Sequence, residues 1–192
     1  MNFRSPLILA SASPRRLQLL TQIGIECITH PSNIDETPRD DEHPEFLVQR
    51  LAFQKAQATA QQYKDAVVIG ADTIVYLDGK ILGKPADSAD AEKMLCTLSG
   101  RTHTVYTGFT LLDTATQRCI CDYETANVTF GILDADDINA YVASGSPMDK
   151  AGAYGIQDDF GAVFVTHING DYYTVVGLPL AKVYTALKHL LW

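Results

Sequence analysis

Apolar positions along the chain alternate between short continuous runs and stripes with helical spacing. Leu7-Ile8-Leu9-Ala10 is continuous, as in a strand buried on both faces. Ser13 and Pro14 follow as an N-cap and a first helical residue, with Leu17, Leu20 and Ile23 as the apolar stripe and Gly24 at the C-terminal cap. A second helix is predicted from Pro44 through Phe46, Leu47, Leu51 and Ala58 toward Tyr63. Ala66–Gly70 reads as another buried strand, and Ile74–Leu77, Asp78-Gly79 and Lys80–Leu82 read as a hairpin.

Asp87 or Ser88 caps a third helix that turns Met94, Leu95 and Leu98 inward and ends at Gly100. Thr102–Leu112 and Cys119–Phe130 are long strands expected to pair. Asp134 opens a short helix bearing Ile138, Tyr141 and Val142 and stopped by Gly145. Val163–Ile168, Asn169-Gly170 and Tyr172–Val176 read as a second hairpin, and Pro179 opens a last helix with Leu180, Val183, Leu187 and Leu190 inward. Strands alternating with helices, interrupted by hairpins, predict an α/β fold with a mixed sheet.

Composition narrows the classes of function. In 192 residues, 15 Lys+Arg stand against 23 Asp+Glu, a formal charge of −8. No general basic field exists to hold a nucleic-acid backbone, and no basic stripe with interleaved aromatics appears. No run approaches the roughly 20 apolar residues of a membrane span. Met1–Leu7 lacks the apolar core of a signal peptide. The expectation is a cytoplasmic protein. Cys27, Cys96, Cys119 and Cys121 form no C-x-x-C pair and are expected to be buried or half-buried free thiols.

Four segments carry candidate chemistry. Ala10-Ser11-Ala12-Ser13-Pro14-Arg15-Arg16 runs from a strand into a helix N-terminus, where two arginines oppose the dipole unless an anion sits between them. The competing reading is an exposed basic turn held by carboxylates. Lys55 continues the Leu47–Leu51 stripe, either as a snorkelling lysine at the core edge or as a lysine aimed into a polar cleft. Asp72, in Gly70-Ala71-Asp72-Thr73, follows a strand as a metal ligand, a base toward water or a simple turn residue, and Lys84 can return toward the same edge. Pro147–Gln157 offers glycines at 152 and 155 for close approach to a ligand and an amide at Gln157, or else is a structural loop.

The order of these segments, with Asp35-Glu36, Arg50-Leu51-Ala52 and Lys55-Ala56, Lys84-Pro85, Leu98-Ser99-Gly100, Thr102-His103 and Val176-Gly177-Leu178-Pro179, resembles the Maf family of nucleoside-triphosphate pyrophosphatases over nearly the whole chain. The resemblance implies one catalytic domain over residues 1–192, with a mixed central sheet and two lobes around a cleft, related to the inosine-triphosphate pyrophosphatases. It implies hydrolysis of a nucleoside triphosphate to the monophosphate and pyrophosphate with a divalent cation, Mg²⁺ or Mn²⁺, and a homodimer as the usual assembly. Asp72 is implied as proton acceptor and metal ligand, with Glu36 as second ligand unless Asp35 takes its place. Ser11, Arg15, Arg16, Lys55, Thr73, Lys84 and Gln157 are implied to bind substrate. Arg15, Thr73 and Gln157 resemble the subgroup acting on dTTP and UTP, with CTP and modified uridine triphosphates as secondary substrates. The alternatives are a 7-methyl-GTP or broad-specificity pyrophosphatase and a nucleotide-binding regulator of septum formation.

Overall fold

The computed structural model describes residues 5–157 and 160–191. In chain order the strands are β1 (Leu7–Leu9), β2 (Ile28–Thr29), β3 (Val67–Leu77), β4 (Lys80–Leu82), β5 (Thr102–Asp113), β6 (Cys119–Phe130) and β7 (Val165–Gly170). The helices are α1 (Pro14–Gln22), α2 (Pro44–Ala60), α3 (Ser88–Leu98), α4 (Ala135–Ala143), α5 (Tyr172–Val176) and α6 (Leu180–Leu191). One seven-stranded sheet has the order β2-β1-β3-β5-β6-β7, with β4 paired on β3. β1 is parallel to both β2 and β3, whereas β4 is antiparallel to β3 and β7 to β6, so the sheet is mixed. No helix among the described residues is long and apolar enough to cross a membrane.

Packing divides the chain into two compact units. The first comprises Met1–Asp72, Thr107–Glu124 and Gly177–Trp192, and the second Thr73–Tyr106 and Thr125–Val176. In the first unit, Ile8, Ala10, Ala66 and Val68 pack with Ala56 of α2. Two glycines seat that helix on its strands. A Cβ on Gly70 of β3 would stand 2.1 Å from the Ala52 carbonyl oxygen and 2.8 Å from the Ala56 nitrogen, and one on Gly108 of β5 would stand 2.5 Å from the Val48 carbonyl. Only a residue without Cβ permits this approach. The second unit has its own core, in which Leu95 and Leu98 of α3, Val105, Phe130, Tyr141, Tyr154 and Phe164 are all buried.

Five expectations change. β3 is one continuous strand through Asp72 and Thr73, so Asp72 is a mid-strand residue and not a strand terminus. β-branched and aromatic residues beyond it, Thr73-Ile74-Val75-Tyr76, sustain the strand. The expected second hairpin does not form. β7 pairs with β6, with Gly170 opposite Ala126, and Tyr172–Val176 is helical because the Asp171 carboxylate accepts from the Thr174 N–H at 2.7 Å as a helix cap. Phe46 is 61% exposed and meets His43 edge-on, while Leu47, Val48, Leu51 and Ala52 make the buried face of α2. In α1 the inward residues are Arg16, Leu19 and Leu20. Burial of Arg16 rotates the stripe, leaving Leu17 and Ile23 half-buried. The four cysteines are free, but Cys96, Cys119 and Cys121 are exposed and Cys27 alone among them is half-buried.

Candidate active site

β1 hands the chain to Ser11, whose hydroxyl oxygen accepts from the Ser13 N–H at 3.2 Å and from Arg16 Nη1 at 3.0 Å. Ser13 occupies the N-cap of α1 without a side-chain cap bond. Arg16 is turned inward, and its Nε donates to the Gly177 carbonyl at 2.9 Å. Burial depresses its pKa; the charge of Asp72 opposes this, Arg15 reinforces it and Glu36 opposes it. The segment is therefore no exposed basic turn: one arginine is locked in place and the other is half-buried beside it.

The strand period of two puts Val68, Gly70 and Asp72 on one face of β3, and Gly70 shows that this face meets α2. Lys55, adjacent in α2 to Ala56, is thereby brought to Asp72. Its Nζ lies 2.6 Å from Asp72 Oδ1 and 2.9 Å from Glu36 Oε1. The Lys55 and Asp72 side chains are 9% and 8% exposed, and that of Glu36 is 47% exposed. Burial pushes the Asp72 carboxyl above the ordinary carboxylate range, and Lys55 and Arg16 pull it back. Lys55 is thus paired with two carboxylates rather than snorkelling its ammonium out to solvent. The same geometry separates the neighbouring acids. Asp35 accepts from the Thr37 N–H at 2.9 Å and hydroxyl at 2.6 Å, whereas Glu36 reaches Lys55.

Arg15, Arg16, Lys55, Glu36 and Asp72, with Ser11, thus belong to one electrostatic cluster in the first unit. Thr73, Lys84 and Gln157 belong to the second. Thr73 is half-buried, and Lys84 is exposed in the loop after β4. Gln157 is half-buried, with its Oε1 covered and lacking a hydrogen-bond partner. Gly152 serves packing, since a Cβ there would stand 2.8 Å from the Val75 side chain, and the Gly155 N–H donates to the Tyr141 hydroxyl at 3.1 Å. Two further pairings went unread in the sequence: Arg50 with Glu42, and His103 with Tyr154. Arg50, His103 and Tyr154 stand in the motifs and Glu42 outside them, and no local spacing marks the partners.

Residues 6–190 match the model of the Maf-like protein family. The chain belongs to the Maf family. Among its curated Maf relatives, a dTTP/UTP pyrophosphatase of Bacillus cytotoxicus is 48% identical over 181 residues, covering 94% of this chain and 93% of the relative. Proteins of the same name from Bacillus cereus and Bacillus anthracis are each 48% identical over 182 residues, covering 95% and 94%. Among solved structures, the Staphylococcus aureus Ham1 protein aligns at 15% identity with a TM-score of 0.49, covering 66% of this Maf chain and 72% of its own. Protein VC0702 from Vibrio cholerae aligns at 10% identity and 0.41, covering 96% and 98%.

Proposed function

We propose that residues 1–192 act as one Maf pyrophosphatase domain that hydrolyses dTTP and UTP to the monophosphate and pyrophosphate. The observation that carries this reading is the buried Lys55–Asp72 pair beside Arg16 and Glu36. It sets a carboxylate of raised pKa, able to take a proton from water, among cations able to hold a polyphosphate. The names of the curated relatives support the choice of dTTP and UTP.

In this reading Arg15, Arg16 and Lys55 neutralise phosphate oxygens, and Ser11 orients the Arg16 guanidinium through its hydroxyl. Asp72 accepts the proton of the attacking water. Thr73, Lys84 and Gln157 also contact substrate, Gln157 through its side-chain amide, which can complement the polar edge of uracil or thymine. A divalent cation fits the donors present. Glu36 and Asp72 direct hard oxygens at one cationic point, now the Lys55 ammonium, and Mg²⁺ commonly takes one or two carboxylates and completes its shell with water and phosphate. Such a cation, when bound, stabilises charge on the phosphates and acidifies a water.

The test is pyrophosphate release from dTTP, UTP, CTP and 7-methyl-GTP at equal concentration. The reading expects dTTP and UTP to lead. A faster rate on 7-methyl-GTP would overturn the specificity, and stoichiometric binding of dTTP without turnover would leave a regulatory protein instead.

A further inference from the structure

One charged side chain of the Arg50–Ala56 motif has no part in the chemistry above. Arg50 lies on α2, and its guanidinium forks onto Glu42, Nε donating to Oε1 at 2.6 Å and Nη2 to Oε2 at 2.6 Å. Nη2 also donates to the Thr37 carbonyl at 3.2 Å, and Nη1 to Gln54 Oε1 at 3.1 Å. Both partners are largely covered, with side chains 15% and 9% exposed. The hydrogen bond from Arg50 holds the Glu42 carboxyl below the usual carboxylate range. Glu42 Oε2 further accepts the Arg39 N–H at 3.1 Å.

These bonds act on a particular stretch of chain. Residues 31–43 carry no helix or strand, yet they present Glu36 to Lys55. Asp35 closes a turn around Glu36 through its two bonds to Thr37, and the Thr37 carbonyl, one residue past Glu36, is held by Arg50. The loop is thus fixed on both sides of Glu36, and its far anchor is a residue of the same helix that carries Lys55. A lysine in place of Arg50 would keep the charge but not the two-pronged geometry that grips Glu42 and reaches Thr37.

We infer that Arg50 is a positioning residue for Glu36: by gripping Glu42 and the Thr37 carbonyl it holds the 35–42 segment so that the Glu36 carboxylate meets Asp72 at one cation position. Glu42 shares this role. The inference rests on the reading of Glu36 as a cation ligand.

The test is binding of Mn²⁺ to the full chain without nucleotide, read from the electron paramagnetic resonance of the free ion, for the wild type, Glu36→Gln, Arg50→Met, Arg50→Lys and Glu42→Gln. Arg50→Met is expected to weaken binding by about tenfold, as loss of an outer-shell partner does, with Arg50→Lys in between. The double variant Arg50→Met/Glu36→Gln is expected to bind no more weakly than Glu36→Gln alone. Should Arg50→Met fail to fold, Glu42→Gln makes the same test with the side-chain shape retained. If Glu36→Gln weakens Mn²⁺ binding but the Arg50 and Glu42 variants do not, the positioning role is wrong and the ligand reading stands. If Glu36→Gln itself leaves binding unchanged, the ligand reading fails and takes this inference with it.

Discussion

Lys55 and Asp72 form a buried ion pair across the contact between α2 and β3, at 2.6 Å, and the same ammonium also holds Glu36 at 2.9 Å. The lysine therefore lies between the two carboxylates proposed to share a divalent cation. Removing it strips the buried Asp72 carboxylate of its nearest countercharge and leaves the Arg16 charge to oppose its burial, which costs up to about 3–5 kcal/mol. Lys55→Met is expected to unfold at a lower temperature than the wild type in chelator. Mg²⁺ or Mn²⁺ should raise its midpoint by more than it raises the wild type's. Equal metal-induced shifts in the two proteins would contradict the shared position.

Asp72→Asn keeps the shape and removes the proposed proton acceptor. Pyrophosphate release from dTTP is expected to fall by about 10²–10⁴-fold, the usual size of a general-base contribution. The circular dichroism spectrum should stay unchanged. Activity within a few-fold of the wild type would remove Asp72 from the proposed role.

Gly70 controls the distance on which the ion pair depends. A methyl group there collides with backbone atoms of α2, which cannot swing aside as a flexible side chain can. Gly70→Ala is expected to cost about 3 kcal/mol or more, at the upper end of overpacking effects. The midpoint of urea unfolding measures it, and a change within a few tenths of a kcal/mol would show that α2 is not held so closely.

His103 gives the second unit a pH-dependent stability. It is buried, its Nε2 pairs with the Tyr154 hydroxyl at 2.8 Å, and its ring meets Phe130 edge-on. Burial pushes its pKa down from 6.5 to about 4. Between those values the unfolded chain binds the extra proton, so stability is full above the upper value and falls as pH drops through the window. The loss amounts to about 3 kcal/mol at the lower end. Urea midpoints of the wild type and His103→Gln, compared between about pH 7.5 and 4.5, isolate this contribution from that of the carboxylates. Parallel curves would exclude it.

Much of the architecture was legible because its signals are local. Pro14, Asp87, Asp134 and Pro179 mark where helices begin, and Asp78-Gly79 turns the hairpin as expected. Asn169-Gly170 carried the same local signal and misled. Its strand takes its partner from β6, distant in sequence, and Asp171 then caps a helix. A two-residue turn signal cannot report which strand lies alongside.

The candidate site divides in the same way. Sequence alone determined the residue types: the ordered motifs, two arginines at a helix start, a lysine in an apolar stripe and an acid after a glycine. Tertiary structure decided what each one meets. It turned Arg16 inward, drew Lys55 onto Asp72, chose Glu36 over Asp35 for that lysine and tied Arg50 to Glu42. Those outcomes rest on two glycines that let a helix touch its strands and on a loop folded back over that helix. Contacts of this kind join residues far apart in the chain, and their energies depend on burial that no local pattern encodes.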